Sequence, residues 1–290
     1  MGAVRIQLAE DWRAGMRLGR NVNHDPRSLA YQVVPTGVAQ TKMWDRKIPV
    51  LDQGSLGSCT GNATVGVLGS EPFYDTLPVG TQVTLDENEA VKVYGLATRL
   101  DGFDGTYPPD DSGSDGLSAA KAAKQLGLIS GYLHITSIAA AQTAILSGPL
   151  IVGTNWLSGM DDPDSSGLVH ATGSVRGGHE YECYGYDAAA DVWHFWNSWG
   201  TSWGNEGAFS YSTADFAKLL GQQGDATTFV PLTQPAPVPT PVPTPPAPAP
   251  TPSPVIPAGW VAWAKHTLTL KEQTHATVRV AHEIIAAAGQ

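Results

Sequence analysis

Gln53-Gly54-Ser55-Leu56-Gly57-Ser58-Cys59 is the stretch of this 290-residue chain that most restricts its fold. Two further segments follow it in order, Gly178-His179-Glu180 and Asn197-Ser198-Trp199-Gly200. A cysteine nucleophile needs a base to become a thiolate, the base needs a group that orients it, and the oxyanion needs hydrogen-bond donors. The three segments offer one residue type for each task, and together they predict an active site built on a thiol.

Each of these residues has a functional and a structural interpretation. Cys59 precedes a predicted helix, whose N-terminus favours a thiolate, but a free cysteine is more often simply buried. The structural interpretation suits Cys183, which lies in the middle of a predicted strand. Of the eight histidines, His179 alone follows a glycine pair at the start of a predicted strand. The amide of Asn197 could orient an imidazole, and that of Gln53 could donate to an oxyanion.

The three segments together resemble those of papain-like (C1-type) cysteine peptidases. Gln53–Cys59 is similar to the Gln-Gly-x-x-Gly-Ser-Cys segment of that family, and Asn197–Gly200 to its Asn-Ser-Trp-Gly segment. The resemblance covers roughly residues 42–215, and the chain resembles phage and actinobacterial members that have no disulfides. It implies an α+β, two-subdomain fold, in which the helical half carries the cysteine and an antiparallel β half carries the histidine and asparagine.

The resemblance also implies a role for each matching residue. Cys59 is expected to be the nucleophile, His179 the general acid and base, Asn197 its orienting group, and Gln53 an oxyanion donor. Trp199 is expected to cover the Asn–His bond and to border the substrate cleft. No metal and no cofactor are implied.

Several positions depart from the family pattern. Thr60 stands after the nucleophile, where the family usually has tryptophan. The family's glycine-containing substrate wall is not recognisable, and the Asp-rich loop 101–115 is expected to take its place. Further substrate-binding candidates are glycines that leave room for a peptide, with one neighbouring serine: Gly57, Gly178, Gly113 and Ser114. Glu180 replaces a small residue and is either a substrate contact or a surface residue.

Composition divides the chain into four segments. Residues 1–41 form a basic N-terminal arm, 42–232 a peptidase-like domain, 233–258 a Pro-rich linker and 259–290 a short tail. Twelve of the 23 residues from 235 to 257 are proline, which favours a polyproline II spacer. The tail has two tryptophans but little sequence to bury them, so it is expected either to dock or self-associate, or to be partly disordered. The arm is shorter than a full papain-type propeptide, and whether it inhibits stays open.

Local patterns predict helices in the first half of the domain and strands in the second. The helices are expected at 62–68, continuing directly from Cys59, at 86–99 with an Asp86/Glu89 capping box, and at 114–126. The strands are expected at 150–153, 179–186, 192–196 and 207–211. Such segregation is typical of α+β folds, and a cleft between the halves is the expected place for a site.

Charge and composition exclude some functions and leave others open. The net charge is −10, and residues 51–259 hold six Lys/Arg against 21 Asp/Glu, which disfavours nucleic-acid binding. No apolar run reaches the length of a membrane span, and the first residues lack the apolar core of a signal peptide. We therefore expect cytoplasmic synthesis, with virion association or release by lysis as further options.

Peptides or proteins are the expected substrates. A cell-wall peptide amidase or endopeptidase of the lysin type, and a non-catalytic module on the same scaffold, are the alternatives.

Overall fold

The computed structural model describes residues 16–37, 39–77 and 84–232, together with short helical or turn segments between residues 262 and 286. The chain folds as two compact units, Met1–Ala236 and Pro237–Gln290. The larger unit contains six α-helices and seven strands among its described residues. The helices are α1 (Cys59–Leu68), α2 (Phe73–Thr76), α3 (Glu87–Ala97), α4 (Gly116–Gln125), α5 (Ile138–Ala144) and α6 (Thr213–Gly221). The strands are β1 (Lys42–Met43), β2 (Gly131–Ile135), β3 (Leu150–Leu157), β4 (Val175–Asp187), β5 (Val192–Trp196), β6 (Ala208–Ser212) and β7 (Asp225–Val230).

The strands form one sheet in the order β2-β7-β3-β4-β5-β6, with β1 paired to β4. Every strand pairing in this sheet is antiparallel. The long strand β4 lies between β3 and β5 and carries His179 near its start. The mixture of helices and antiparallel sheet confirms the α+β prediction.

The helical half forms its own core around α1. All ten residues of this helix are buried, and its aliphatic side chains pack with those of α3 and α4. Burial on all sides is typical of a central helix rather than an amphipathic surface helix. As a result Cys59, at its first position, has no exposed surface.

The sheet half forms a second core rich in aromatic rings. Trp156, Tyr181, Phe195, Phe209 and Tyr211 are buried there and meet mostly edge to face or tilted. Leu18, from the N-terminal arm, belongs to the same core. The arm is thus packed into the domain and not merely laid on its surface.

Helix ends follow the sequence signals, with one exception. The Asp86 side chain accepts from the backbone N–H groups of Asn88 and Glu89, as an N-cap should. The predicted capping box is wrong in its second half, because the Glu89 carboxylate pairs with Lys92. Asp115 caps α4 through the backbone N–H of Ser118.

In the smaller unit, sequence patterns predict a helix at 281–288 and strands at 267–270 and 277–280. Its described residues from 281 to 286 are helical, whereas Leu268 and Thr269 form a turn closed by the carbonyl of His266. Most of both predicted strands, the Pro-rich linker and both tail tryptophans lie outside the described residues. None of the described helices has the length and hydropathy of a membrane span.

Candidate active site

His179, near the start of β4, meets Asn197, which directly follows the last residue of β5. Nε2 of His179 lies 2.8 Å from Oδ1 of Asn197, and both side chains are buried. Oδ1 of Asn197 also accepts from the backbone N–H of Ser198 at 2.8 Å, which identifies this atom as the acceptor. His179 therefore donates from Nε2, and a neutral ring has its lone pair at Nδ1. Nδ1 has no hydrogen-bond partner among the described residues, so it is free to take a proton.

Two tryptophans enclose this imidazole. Trp199 stacks on the His179 ring with 4.6 Å between centroids and 18° between planes, and Trp156 meets it edge-on at 5.2 Å. Both indoles are buried, which keeps water from the His179–Asn197 hydrogen bond. Trp199 lies where the sequence led us to expect a cover for that bond.

Gln53 is tied to the same region from the helical half. Its Oε1 accepts from the Ser198 hydroxyl at 2.6 Å, and its backbone N–H donates to the Ser198 carbonyl at 2.9 Å. Its Nε2 donates to the Leu56 carbonyl at 2.8 Å. An amide nitrogen carries two N–H groups, so one remains for the oxyanion role expected of Gln53.

Cys59 is covered by the N-terminal arm in this structure. The backbone N–H groups of Gly19 and of Glu180 face its sulfur. Because His179 Nδ1 has no partner in the described part of the chain, the thiol and the imidazole are not hydrogen-bonded to each other here.

The arm is held across the cleft by backbone hydrogen bonds on both walls. On one wall Arg20 donates to the Gly178 carbonyl at 2.9 Å. On the other wall Ser114 donates to the Gly19 carbonyl at 2.9 Å, and its own carbonyl accepts from Asn21 at 2.6 Å. Arg20 and Ser114 form a parallel bridge. Of the predicted substrate-binding residues, Gly178 and Ser114 thus bind an extended peptide through their main chains.

Glycines permit this close approach. A side chain at Gly19 would overlap the backbone of Gly57, and one at Gly113 would overlap the carbonyl of Gly19. Gly113 has φ +70°, which glycine adopts without strain. The Asp-rich loop supplies this wall and ties it to the helical half, since Asp111 accepts from the Gly57 N–H at 3.0 Å and from the Tyr94 hydroxyl at 2.8 Å.

Burial suppresses ionisation of both predicted catalytic groups. It raises the pKa of Cys59 to about 12, an effect increased by the charge of Glu180 and opposed by the N–H groups facing the sulfur. It lowers the pKa of His179 to about 4, against the hydrogen bond to Asn197. The expected lowering of the Cys59 pKa at the helix N-terminus is thus outweighed by the desolvation that the arm completes.

Glu180 is not a surface residue. It is fully buried beside Arg20, whose Nε lies 3.6 Å from Glu180 Oε2, and Arg20 also pairs with Asp225 and donates to the Gln223 carbonyl at 2.7 Å. Burial and the nearby Asp225 raise the pKa of Glu180 well above its ordinary value, although Arg20 opposes them. Sequence reasoning missed Asp225 and the arm residue Arg20, since only the folded sheet brings them to the cleft.

Cys183 has the structural role predicted for it. It is fully buried in β4 within the aromatic core, and burial raises its pKa far above the ordinary range.

A separate cavity of about 540 Å³ lies between the turn at 26–31, β2 and α6. None of the residues expected to react lines it.

Comparison with known proteins finds a family model that matches part of this chain. The model for "Papain family cysteine protease" matches residues 104–221, which include His179 and Asn197 but neither Cys59 nor Gln53. This part of the chain is similar to the papain family. Over 195 residues the chain is 28% identical to the cathepsin B-like CP2 of Giardia intestinalis, an alignment that covers 55% of this chain and 62% of that protein. The chain thus spans less than two thirds of the length of that papain-family relative.

Solved structures agree with the fold. Xylellain, a cysteine protease from Xylella fastidiosa, is similar with a TM-score of 0.56 at 16% identity, over 77% of this chain and 99% of that one. Procathepsin L 3 of Tenebrio molitor larval midgut is similar with a TM-score of 0.50 at 17% identity, over 74% of this chain and 76% of that one. At these identities the papain-like likeness concerns the fold alone.

Proposed function

We propose that this chain is a papain-family, thiol-dependent endopeptidase with Cys59 as nucleophile and His179 as general acid and base. The observation that carries the proposal is the arm. An extended stretch of peptide lies on Cys59 and is bound through its backbone to Gly178 and Ser114. A cleft that binds a peptide backbone against a cysteine, next to an oriented imidazole, is suited to peptide hydrolysis.

The chemistry follows from the atoms available. When the arm leaves and substrate enters, Nδ1 of His179 accepts the thiol proton of Cys59, and the sulfur attacks the peptide carbonyl carbon. The carbonyl oxygen becomes negative and takes hydrogen bonds from the Cys59 backbone N–H and the Gln53 amide. The C–N bond breaks as His179 returns the proton to the amine, and the acyl group stays on sulfur. Water then loses a proton to His179, attacks the acyl carbon, and the thiol is restored with release of the acid.

The supporting residues have distinct tasks in this proposal. Asn197 holds the Nε2–H of His179, so that Nδ1 faces the thiol. Trp199 keeps that bond dry. The arm makes the isolated chain latent, because a substrate cannot reach Cys59 until Gly19 and Arg20 are displaced.

The test compares variants made in the full-length, arm-released Arg20→Ala chain on an unfolded protein such as reduced casein, with detection of new amino termini. Cys59→Ala and His179→Ala should abolish hydrolysis, whereas Cys183→Ala should retain it. Retention of hydrolysis by Cys59→Ala would refute the proposal. Purified peptidoglycan as a parallel substrate distinguishes protein substrates from cell-wall peptides, since release of amino termini from it alone would assign the activity to the cell wall.

A further inference from the structure

The sheet builds a pocket of unusual composition beside Cys59. Gly153 of β3 pairs with Glu180 of β4 on one side and with Asp225 of β7 on the other. Residues paired across neighbouring antiparallel strands point to the same face. The register therefore aims both carboxylates over a glycine, into the same space next to the nucleophile.

Glycines keep this space open. A side chain at Gly153 would overlap Arg20 and Glu180, and one at Gly116 would overlap Glu180. Gly153 lies in the middle of β3, and Gly116 is the first residue of α4. The pocket is thus formed by the body of the domain and does not depend on the arm for its walls.

The arm shows what the pocket accepts. The Arg20 side chain enters it fully buried, pairs with Asp225 and lies 3.6 Å from Glu180. The guanidinium reaches in two directions, since Nη2 also donates to the Gln223 carbonyl at 2.7 Å while Nε faces Glu180. A planar group with several donors satisfies such a site better than the single ammonium of lysine.

The pocket is not used up by the arm. Neither carboxylate oxygen of Glu180 has a hydrogen-bond partner among the described residues, and neither do Nε and Nη1 of Arg20, although all four atoms are buried. Arg20 thus faces Glu180 as an ion pair at 3.6 Å without a hydrogen bond to it. A buried acceptor without a hydrogen bond raises the free energy of the folded protein. A site with such acceptors therefore prefers a ligand that supplies hydrogen-bond donors over one that does not. The nearby Asp115 is also acidic and is committed to capping α4.

We propose that Glu180 and Asp225 form a specificity pocket that selects an arginine side chain in the substrate, and that Arg20 occupies it as a built-in mimic. This inference rests on the proposed peptidase function and deepens it. The pocket adjoins the scissile position, because the Arg20 backbone N–H binds the residue directly before His179.

The test uses the full-length Arg20→Ala variant, in which the pocket is empty, and a positional-scanning library of fluorogenic peptides. At one position near the scissile bond, arginine should exceed leucine in kcat/KM by at least about tenfold and exceed lysine severalfold. Arg20→Gln offers the same measurement if Arg20→Ala does not fold, because it keeps most of the side-chain volume but removes the cation that pairs with Asp225.

Two carboxylate variants form a matched pair in that assay. In Glu180→Gln the arginine-to-leucine ratio should fall towards one. Glu182→Gln should keep the ratio, because Glu182 is buried two residues along the same strand but pairs with Arg46 and Ser70 away from the cleft.

The outcomes separate the two proposals. Cleavage with leucine or an acidic residue preferred, or with no preference for arginine, would overturn the pocket assignment and leave the peptidase function standing. Absence of cleavage of every peptide, together with no labelling of Cys59 by a thiol-directed epoxide, would overturn the peptidase function and the pocket with it.

Discussion

Replacing Arg20 with alanine should open the cleft over Cys59. Arg20 is the only cation placed between Glu180 and Asp225 in the described part of the chain, and its side chain is fully buried. Removal of one partner from a buried ion pair typically costs about 3–5 kcal/mol, because the remaining charge is left buried without compensation. This cost falls on the closed state alone, since both carboxylates regain water once the arm lifts.

The expected size of the effect follows from that cost. A change of about 3–5 kcal/mol shifts the closed-to-open equilibrium by roughly 10²- to 10³-fold or more. The reaction rate of Cys59 stops rising once most molecules have the arm lifted. The rate increase in Arg20→Ala therefore cannot exceed the ratio between the rate of the fully open form and the rate of the wild type. The decrease in the free energy of unfolding is limited too. Once the arm has lifted, the unpaired carboxylates are hydrated and no longer destabilise the domain.

Alkylation of the two cysteines by iodoacetamide, followed by peptide mapping, measures this opening. Cys183 is buried in the core of the sheet half and reports unfolding of the whole domain. Cys59 reports arm opening as well. The ratio of Cys59 to Cys183 labelling should therefore rise at least about 100-fold in Arg20→Ala.

Arg27→Ala is the matched control. Arg27 lies in the same arm and pairs with Asp25, but its side chain is 86% exposed. Exposed pairs contribute little, so its labelling ratio should equal that of the wild type. A change of less than about threefold in Arg20→Ala, or an equal change in both variants, would refute the view that the buried pairs of Arg20 hold the arm on Cys59.

Four further outcomes follow from the site. Gln53→Glu keeps the acceptor for the Ser198 hydroxyl but loses the N–H donor, so kcat should fall about 10²- to 10³-fold in a peptide assay. Asn197→Ala should lower kcat more than it changes KM, and shift the acidic limb of the pH–rate profile, because His179 loses its orienting partner. Cys183→Ala should keep its peptidase activity while losing about 0.5–3 kcal/mol of stability in urea unfolding. Burial raises the pKa of Asp115 to about 6, so its stabilising contribution is complete below the ordinary value of 3.8 and disappears as pH rises through 6. The wild type should therefore lose roughly 3 kcal/mol relative to Asp115→Asn between pH 4 and pH 7 in urea unfolding, and a constant difference would contradict the assignment.

Short sequence patterns were sufficient to predict those helices and strands whose formation depends mainly on neighbouring residues. The helix beginning at Cys59, the Asp86 cap and the strand 192–196 lie where short patterns predicted them, because each depends on nearby residues. Strands β2 and β7 were missed. Both are short, and β7 is stabilised by pairing with β2 and β3, which are distant in sequence.

The site residues show the same difference between local motifs, which sequence reasoning finds, and long-range contacts, which it misses. Motifs indicated His179 and Asn197 as candidates, and the structure brings them to 2.8 Å. No local pattern could predict that Arg20 would lie between Glu180 and Asp225, because that contact joins the arm to two strands across about 200 residues. The acidity of Cys59 was also beyond a local argument. The helix N-terminus favours a thiolate, but the arm decides whether water reaches the sulfur.

Cys59 is the residue on which the whole account depends, and its reaction with a thiol-directed epoxide inhibitor tests that claim most directly. The arm-released Arg20→Ala variant is treated with the inhibitor, mapped by mass spectrometry, and assayed for hydrolysis in parallel. The account predicts one adduct per chain, located on Cys59, with activity lost in proportion to labelling. An adduct on Cys183, or complete modification of Cys59 with hydrolysis unchanged, would contradict it.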